Sequence, residues 1–373
     1  MTTTTTTGPG GRCRVAVVGG GSWGTAVAAL LAGRHDTVLW ALEDEVVDGI
    51  NDRHENPVFH PGIALPDALV ATTDVQRAVD GAELVVMGVP TQFIRSVAER
   101  LAGSLDPSVP IVSLAKGIEA GTLLRPTEII GHVLGTDIAI GVLSGPNLAR
   151  EIVSGHPAAT VLAFDDHDLA VVQQARFQSP SLAVYTNDDV VGCELGGSVK
   201  NVIAVAAGMA AGLDHGQNAI AALICRGLVE MTRLGVALGA RAETFLGLAG
   251  QGDLVATCLS EQSRNHRFGR ELARGRTVDE IVASTNMVAE GVKSVDSMLA
   301  LAHRESVEMP LVSLVHDVVH GGRPPRTAFE IRDQGRPAHE LEGIVDHLAR
   351  ARARTEPTTG RTPTAASIPG GTP

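Results

Sequence analysis

Lysine is nearly absent from this sequence. Its 373 residues contain 30 lysine and arginine side chains, and only Lys116, Lys200 and Lys293 are lysines. An ammonium is a compact donor whose pKa shifts with its surroundings, whereas a guanidinium is planar and stays charged. A chain that uses arginine for almost every surface cation is expected to keep lysine where a proton moves or a small anion is approached. The alternative for each lysine is a surface position without function.

Cysteine is also scarce, and the cysteines are scattered. The four residues are Cys13, Cys193, Cys225 and Cys258, and no two of them stand at CxxC spacing. This spacing is typical of reduced thiols and not of a disulfide framework or a zinc site. The 13 histidines include no HExxH motif. We therefore predict no bound metal.

Long apolar runs and an excess of positive charge are missing as well. No apolar run reaches the roughly 18 residues that a membrane-spanning helix needs. The formal net charge is -12 and the pI is near 5.5, and an acidic protein is not attracted to nucleic acid or to anionic membranes. We expect a cytoplasmic protein with no nucleic-acid partner and no membrane insertion.

The pattern of apolar residues changes once along the chain. In the first half, short apolar runs alternate with helical stretches, which predicts an α/β fold with a doubly wound, mostly parallel Rossmann-type sheet. The predicted strands cover residues 14–19, 37–40, 83–88, 111–115, 138–144, 159–164 and 182–186. Beyond about residue 188, Ala-, Leu- and Val-rich stretches at helical spacing predict an all-helical C-terminal domain.

These patterns divide the chain into four parts. We predict a dinucleotide-binding domain at residues 13–188 and a helical substrate and catalytic domain at residues 189–353. The ends, residues 1–12 and 354–373, are low in complexity and are predicted to be disordered. The Ala- and Leu-rich helical half also allows a homodimer.

The clearest motif lies at the first predicted strand. VAVVGGGSWGTAVAALLA places Gly19, Gly21 and Gly24 at GxGxxG spacing between a strand and a helix. Glycines there allow a tight turn and a close approach of the backbone to pyrophosphate, which faces the helix N-terminus. This context favours dinucleotide binding over a glycine turn that serves only packing.

The end of the second strand bears on the choice of cofactor. An acid there binds the ribose 2'-hydroxyl of NAD, whereas a cation favours NADP. The strand continues into Leu42 and Glu43, without a cation at its tip. The cofactor is NAD or NADP, and these two residues favour NAD weakly.

Two of the three lysines stand in contexts that suggest chemistry. Lys116 follows the apolar run 111–115, and ligands of doubly wound sheets bind at the carboxyl ends of strands. Lys200 and Asn201 interrupt a helix of small apolar residues. Burial there lowers a lysine pKa toward neutrality, as acid–base catalysis requires. The alternative is that Lys200 extends its ammonium to water.

Other polar residues follow turns in the same regions. Asp253 follows two glycines and could orient an ammonium, while the trio Ser263, Arg264 and Asn265 offers the donors that a phosphate or carboxylate needs. The alternative for the trio is a helix cap followed by a solvated arginine. Ser144, Gly145 and Glu290 could bind ligand, or could be a turn and a solvated acid.

Several motifs together resemble those of the NAD(P)-dependent glycerol-3-phosphate dehydrogenases, most of all the bacterial biosynthetic type. The resemblance runs in order from about residue 14 to residue 321. It rests on GGGSWGTA, NPVFHPGI, GVPTQFIR, SLAKGI, SGPNLAREI, GCELGGSVKNVIAVAAGM, AALICRGLVEM, GQGDLVATC and SRNHRFG. Many bacterial members carry Arg or His where this chain has Leu42, which argues against the family's usual NADP preference.

The resemblance implies a role for each matched residue. Lys200 would donate and accept the proton, and Lys116 would meet both cofactor and substrate. The other implied catalytic residues are Asp253, Asn201 and Thr257. The implied substrate-binding residues are Lys116, Ser144, Gly145, Lys200, Asp253, Ser263, Arg264 and Asn265. The implied cofactor-binding residues are Gly19, Gly21, Ser22, Trp23, Gly24, Lys116, Ala149, Arg264, Val288 and Glu290.

The implied reaction is the reversible reduction of dihydroxyacetone phosphate, a small phosphorylated three-carbon substrate, to sn-glycerol 3-phosphate for phospholipid synthesis. Two alternatives remain at this point. One is a related dehydrogenase of β-hydroxyacids or sugar acids, and the other is a non-catalytic NAD(P)H sensor.

Overall fold

A computed structural model describes residues 11–284 and 290–329. The predicted C-terminal tail and the last part of the predicted helical domain lie outside the described residues. The same is true of residues 1–10 of the predicted N-terminal tail and of Val288.

A sheet of eight strands forms the first half of the described chain, in the order β3-β2-β1-β4-β5-β6-β7-β8. Neighbouring strands are parallel except for the antiparallel pair of β6 and β7. The predicted doubly wound, mostly parallel sheet is therefore confirmed. The strands are β1 (Arg14–Val18), β2 (Asp36–Trp40), β3 (Val70–Thr72), β4 (Leu84–Met87), β5 (Ile111–Ser113), β6 (Ile140–Ser144), β7 (Ala158–Ala163) and β8 (Leu182–Asn187).

Strand β3 was not predicted. It has three residues at the edge of the sheet, and Val70 is 45% exposed. So short an edge strand shows neither a continuous apolar run nor a full alternation of apolar and polar residues, which are the signals that a sequence offers.

Helices cover both faces of the sheet. Alternate residues of β1 point to opposite sides: Val15 and Val17 pack in one apolar cluster, and Ala16 and Val18 in the other. The helices in this half are α1 (Ser22–Ala32), α2 (Asp44–Arg53), α3 (Val75–Val79), α4 (Thr91–Leu101), α5 (Pro126–Leu134), α6 (Ala149–Val153) and α7 (His167–Phe177).

Within the described residues, the chain after β8 is helical, as predicted. The α-helices are α8 (Val190–Gly212), α9 (Gln217–Ala237), α10 (Asp253–Leu259), α11 (Arg264–Ala273), α12 (Val278–Ala283), α13 (Glu290–Arg304), α14 (Pro310–Val319) and α15 (Pro325–Ala328). A 3-10 helix (Ala242–Leu246) and a π-helical turn (Leu248–Gly252) precede α10.

Helix α8 is the centre of this half. It is long and apolar enough to cross a membrane, but 94% of its apolar window is buried inside the protein, as in the core helix of a globular domain. Helix α11 packs closely against α8. A Cβ at Gly269 of α11 would lie 2.0 Å from the carbonyl oxygen of Val205 in α8. The two helices could not pack in this way with a larger residue there.

Candidate active site

The GxGxxG segment forms the turn between β1 and α1. Gly19 has φ +127°, and a Cβ on Gly24 would lie 2.0 Å from the carbonyl oxygen of Gly19. Both positions therefore require glycine. Gly21 faces open space within 4 Å of its would-be Cβ, so a phosphate could approach the backbone at the start of α1. The geometry fits a dinucleotide pyrophosphate.

A loop that sequence analysis did not assign supports this turn. The buried Asn56 amide donates to the carbonyl oxygen of Gly20 at 3.0 Å, and its Oδ1 accepts from the Phe59 N–H at 3.0 Å. His60 Nε2 lies 2.7 Å from the carbonyl oxygen of Ser22. Both residues belong to NPVFHPGI, a motif that carries the resemblance and whose sequence alone indicates no role.

Trp23, next to Ser22 in α1, also has a feature of a ligand site. Its indole Nε1 is buried and has no hydrogen-bond partner in the part of the chain that the structure describes. A buried N–H without a partner is rare in folded proteins, which makes it a candidate donor for a bound molecule.

The centre of the site is one carboxylate held between two ammonium groups. Lys116 Nζ lies 2.6 Å from Asp253 Oδ2, and Lys200 Nζ lies 2.5 Å from Asp253 Oδ1. Thr257 Oγ1 accepts a hydrogen bond from Lys200 Nζ at 2.7 Å. The structure thus brings together Lys116 from the loop after β5, Lys200 from α8, and Asp253 and Thr257 from α10.

Burial shifts the pKa of Lys200. Lys200 is 7% exposed and Asp253 is 1% exposed. Desolvation is the largest influence on the pKa of Lys200 and lowers it; the attraction of Asp253 raises it, the charge of Lys116 lowers it, and the resulting pKa is about 8. An ammonium with this pKa can both give and take a proton near neutral pH.

Asn201 connects the lysines to the predicted cofactor and substrate residues. Its Nδ2 lies 3.3 Å from both the carbonyl oxygen of Lys116 and Glu290 Oε2. Its Oδ1 accepts from Asn265 Nδ2 at 2.9 Å, and Asn265 Oδ1 accepts from the Gly291 N–H at 3.0 Å. The amide therefore contacts three other segments of the site.

Ser263, Arg264 and Asn265 have different surroundings in the structure. The Ser263 hydroxyl caps α11 by accepting from the His266 N–H, while Asn265 faces Asn201. The Arg264 side chain is exposed, and no hydrogen bond or ion pair joins it to another described residue. The Arg264 guanidinium is therefore available to a ligand or to water, and the phosphate-binding role of the trio stays a prediction.

The end of β6 supplies a second free group. Ser144 Oγ is buried without a hydrogen-bond partner among the described residues, and the Gly145 carbonyl oxygen accepts from Lys116 Nζ at 3.2 Å. Ala149 is the first residue of α6.

The residues that follow β2, where the adenosine ribose is expected, face solvent. Leu42 is 71% exposed and Glu43 is also exposed.

Comparison with known proteins identifies relatives along almost the whole described chain. The family model "NAD-dependent glycerol-3-phosphate dehydrogenase N-terminus" matches residues 14–170, and the C-terminus model matches residues 189–330. The chain is 52% identical over 319 residues to a glycerol-3-phosphate dehydrogenase [NAD(P)+] of Thermobifida fusca, covering 85% of this chain and 95% of the relative.

Two further relatives agree. A second glycerol-3-phosphate dehydrogenase [NAD(P)+], from Sphingopyxis alaskensis, is 50% identical over 318 residues, covering 85% of this chain and 95% of the relative. The crystal structure of glycerol-3-phosphate dehydrogenase from Coxiella burnetii superimposes with a TM-score of 0.81 at 37% identity, covering 85% of this chain and 97% of that one.

The scarcity of lysine makes the titration of Lys200 directly observable. In protein labelled with [¹³C]lysine, we expect the Lys200 resonance, assigned with Lys200→Met, to titrate near pH 8. Asp253→Asn removes the carboxylate that favours the ammonium, so the pKa of Lys200 should fall further. Lys293, exposed on α13, provides the reference signal. A higher Lys200 pKa in Asp253→Asn would contradict these electrostatics.

Proposed function

The chain belongs to the family of NAD(P)-dependent glycerol-3-phosphate dehydrogenases, and we propose that it interconverts dihydroxyacetone phosphate and sn-glycerol 3-phosphate with Lys200 as the proton donor and acceptor. The observation that carries this proposal is the Lys116–Asp253–Lys200 group. Two cations share one buried anion, so the group has an excess of one positive charge where a substrate oxygen would become negative.

The proton and the hydride would come from different groups. A nicotinamide dinucleotide, when bound, would supply the hydride that adds to the carbonyl carbon. As the C=O π bond breaks, charge develops on the oxygen, and Lys200 Nζ passes a proton to it, forming the hydroxyl. In the reverse reaction neutral Lys200 takes that proton back. Proton transfer from a placed side chain contributes about 10²- to 10⁴-fold to a rate.

Asp253 and Thr257 orient the donor. Their oxygens lie 2.5 and 2.7 Å from Lys200 Nζ and leave one of its three N–H groups for the substrate. Lys116 adds a second positive charge, which stabilises the developing oxyanion. Gly19, Gly21, Ser22, Trp23 and Gly24 would hold the dinucleotide, with Glu290 on the side of the helical half.

The phosphate would be held by the groups that have free donors. Arg264 offers a forked guanidinium and Ser144 a buried hydroxyl without a partner among the described residues. A guanidinium matches the geometry of phosphate oxygens and can bind two of them at once. The glycerol 3-phosphate formed would serve phospholipid synthesis.

Substitution of Lys200 tests the proposed reaction. We expect Lys200→Met to reduce dihydroxyacetone phosphate at about 10²- to 10⁴-fold lower kcat, since the proton donor is lost. Lys200→Arg should fail equally, because a guanidinium keeps the charge but does not release its proton near neutral pH. Lys293→Met is the matched control and should keep the wild-type rate. Wild-type turnover by Lys200→Arg would exclude Lys200 as the donor.

Substitution of Arg264 tests the phosphate site. Loss of hydrogen bonds from a charged donor costs about 1.5–3 kcal/mol, so Arg264→Ala should raise the KM for dihydroxyacetone phosphate by about 10- to 100-fold. Arg267→Ala removes an exposed arginine from the same helix and should leave KM unchanged. Steady-state kinetics that show equal KM values for the two variants would remove Arg264 from the site.

We also propose a preference for NADH over NADPH. Glu43 follows β2 at the expected position of the adenosine ribose, and Asp44 and Glu45 begin α2 beside it. These carboxylates would accept from a 2'-hydroxyl and repel a 2'-phosphate. The wild-type kcat/KM for NADH should exceed that for NADPH. Glu43→Gln should reduce the ratio of kcat/KM for NADH to kcat/KM for NADPH. A wild-type preference for NADPH would refute this proposal.

Assembly and location complete the proposal. A homodimer is supported by apolar residues exposed on α9, namely Ala219, Ala221, Ala222 and Cys225. A monomeric mass in light scattering would exclude it.

A cytoplasmic location is supported by the free state of all four cysteines. Recovery of the activity outside the cytoplasmic fraction would exclude this location.

A further inference from the structure

The loop that contains Lys116 packs against one face of α8. That face is formed by Glu194 and by the residues three, four and seven positions after it, namely Gly197, Ser198 and Asn201, which lie side by side on a helix. Each of them contacts the loop between β5 and α5 or the stem of Lys116. Lys200, next to Asn201 in sequence, projects from the same helix to Asp253 Oδ1, while Lys116 contacts Asp253 Oδ2.

The first contact fixes the far end of that loop. The carboxylate of Glu194 is fully buried and accepts from the Arg125 guanidinium, from the Thr127 N–H at 2.8 Å and from the Thr127 hydroxyl at 2.7 Å. Arg125 and Thr127 stand at the start of α5. A buried carboxylate with three donors ties α5 to α8 in a defined position.

The next contacts hold the backbone at Lys116 itself. Asn201 Nδ2 donates to the carbonyl oxygen of Lys116 at 3.3 Å, while the Ser198 hydroxyl donates to the carbonyl oxygen of Glu194 at 2.8 Å and lies 3.4 Å from the carbonyl oxygen of Gly117. The carbonyl groups of Lys116 and Gly117 therefore face α8, and the Lys116 stem lies beside Gly197 of that helix.

Gly197 lies where the Lys116 stem crosses α8. A Cβ on Gly197 would be 3.1 Å from Lys116 Cγ, 3.3 Å from Lys116 Cδ and 3.1 Å from Ser144 Oγ. At the far end of the stem, Lys116 Nζ contacts Asp253 Oδ2 at 2.6 Å and the Gly145 carbonyl oxygen at 3.2 Å. Even one methyl group at position 197 would have to displace the stem or the Ser144 hydroxyl.

We propose that Gly197 is a positioning residue for the reaction: the absence of a side chain there sets how closely the Lys116 ammonium approaches Asp253. This inference rests on the proposed function, in which Lys116 supplies the second positive charge. It predicts that a larger residue at position 197 acts on turnover through Lys116.

Displacement of Lys116 has a signature that general damage would not produce. The charges that act on the Lys200 ammonium are those of Asp253, Lys116 and Glu290, and Lys116 lowers its pKa. If the Lys116 ammonium retreats, this repulsion weakens and the pKa of Lys200 rises. The reduction of dihydroxyacetone phosphate requires protonated Lys200, so the fall of kcat with increasing pH should then begin at a higher pH.

The experiment compares Gly197→Ala with Gly131→Ala by steady-state kinetics from pH 6 to pH 10. Gly131 is also inside a helix, and a Cβ there would meet only Ile140 Cδ1 at 3.5 Å, an ordinary contact. We expect Gly197→Ala to lower kcat at pH 7 by at least tenfold and to shift the alkaline limb upward by several tenths of a pH unit. Gly131→Ala should match the wild type in both.

Two further measurements decide between explanations. Alanine favours helix more than glycine does, so α8 should form in the variant, and thermal unfolding will verify this. In a Lys116→Met background, Gly197→Ala should change kcat by less than twofold, because the ammonium that it displaces is already absent. A fall in kcat without the pH shift, or a full effect in the Lys116→Met background, would overturn the proposal. An inactive wild type would instead refute the proposed function.

Discussion

The buried carboxylate of Asp253 is the interaction on which the rest of the site depends. Without it, two ammonium groups would face each other in a buried site. Burial and mutual repulsion would then lower their pKa values until at least one of them lost its proton. With it, each oxygen of Asp253 takes one lysine, and Lys200 keeps a pKa of about 8. One anion thus holds both cations in place and keeps one of them able to exchange a proton.

The fold delivers these three groups from different places. Lys116 comes from the carboxyl end of a parallel strand, where doubly wound sheets bind their ligands, while Lys200 and Asp253 come from α8 and α10. Close approach is possible because small residues line α8, and Gly197 and Gly208 would each meet neighbouring atoms if they carried a Cβ. The glycines of α8 reduce helix propensity, and tertiary packing around this buried helix offsets that cost.

Sequence patterns predicted the parts of this arrangement that depend on local order. The GxGxxG turn, seven of the strands and the lysine at the end of β5 follow from short segments whose periodicity or turn chemistry is self-contained. Two features do not. The three-residue β3 and the support of the glycine turn by Asn56 and His60 depend on what packs beside each residue. Spacing along the chain carries no information about those neighbours.

The geometry of a carboxylate explains why lysine, and not arginine, stands at positions 116 and 200. A guanidinium is a planar fork that binds both oxygens of a carboxylate at once. An arginine at position 116 or 200 would therefore occupy both oxygens of Asp253 and displace the other cation. Two point-like ammonium groups can instead share the carboxylate, one on each oxygen, and one of them can release a proton. The geometry at Asp253 requires lysine twice, whereas exposed Lys293 on α13 has no such requirement.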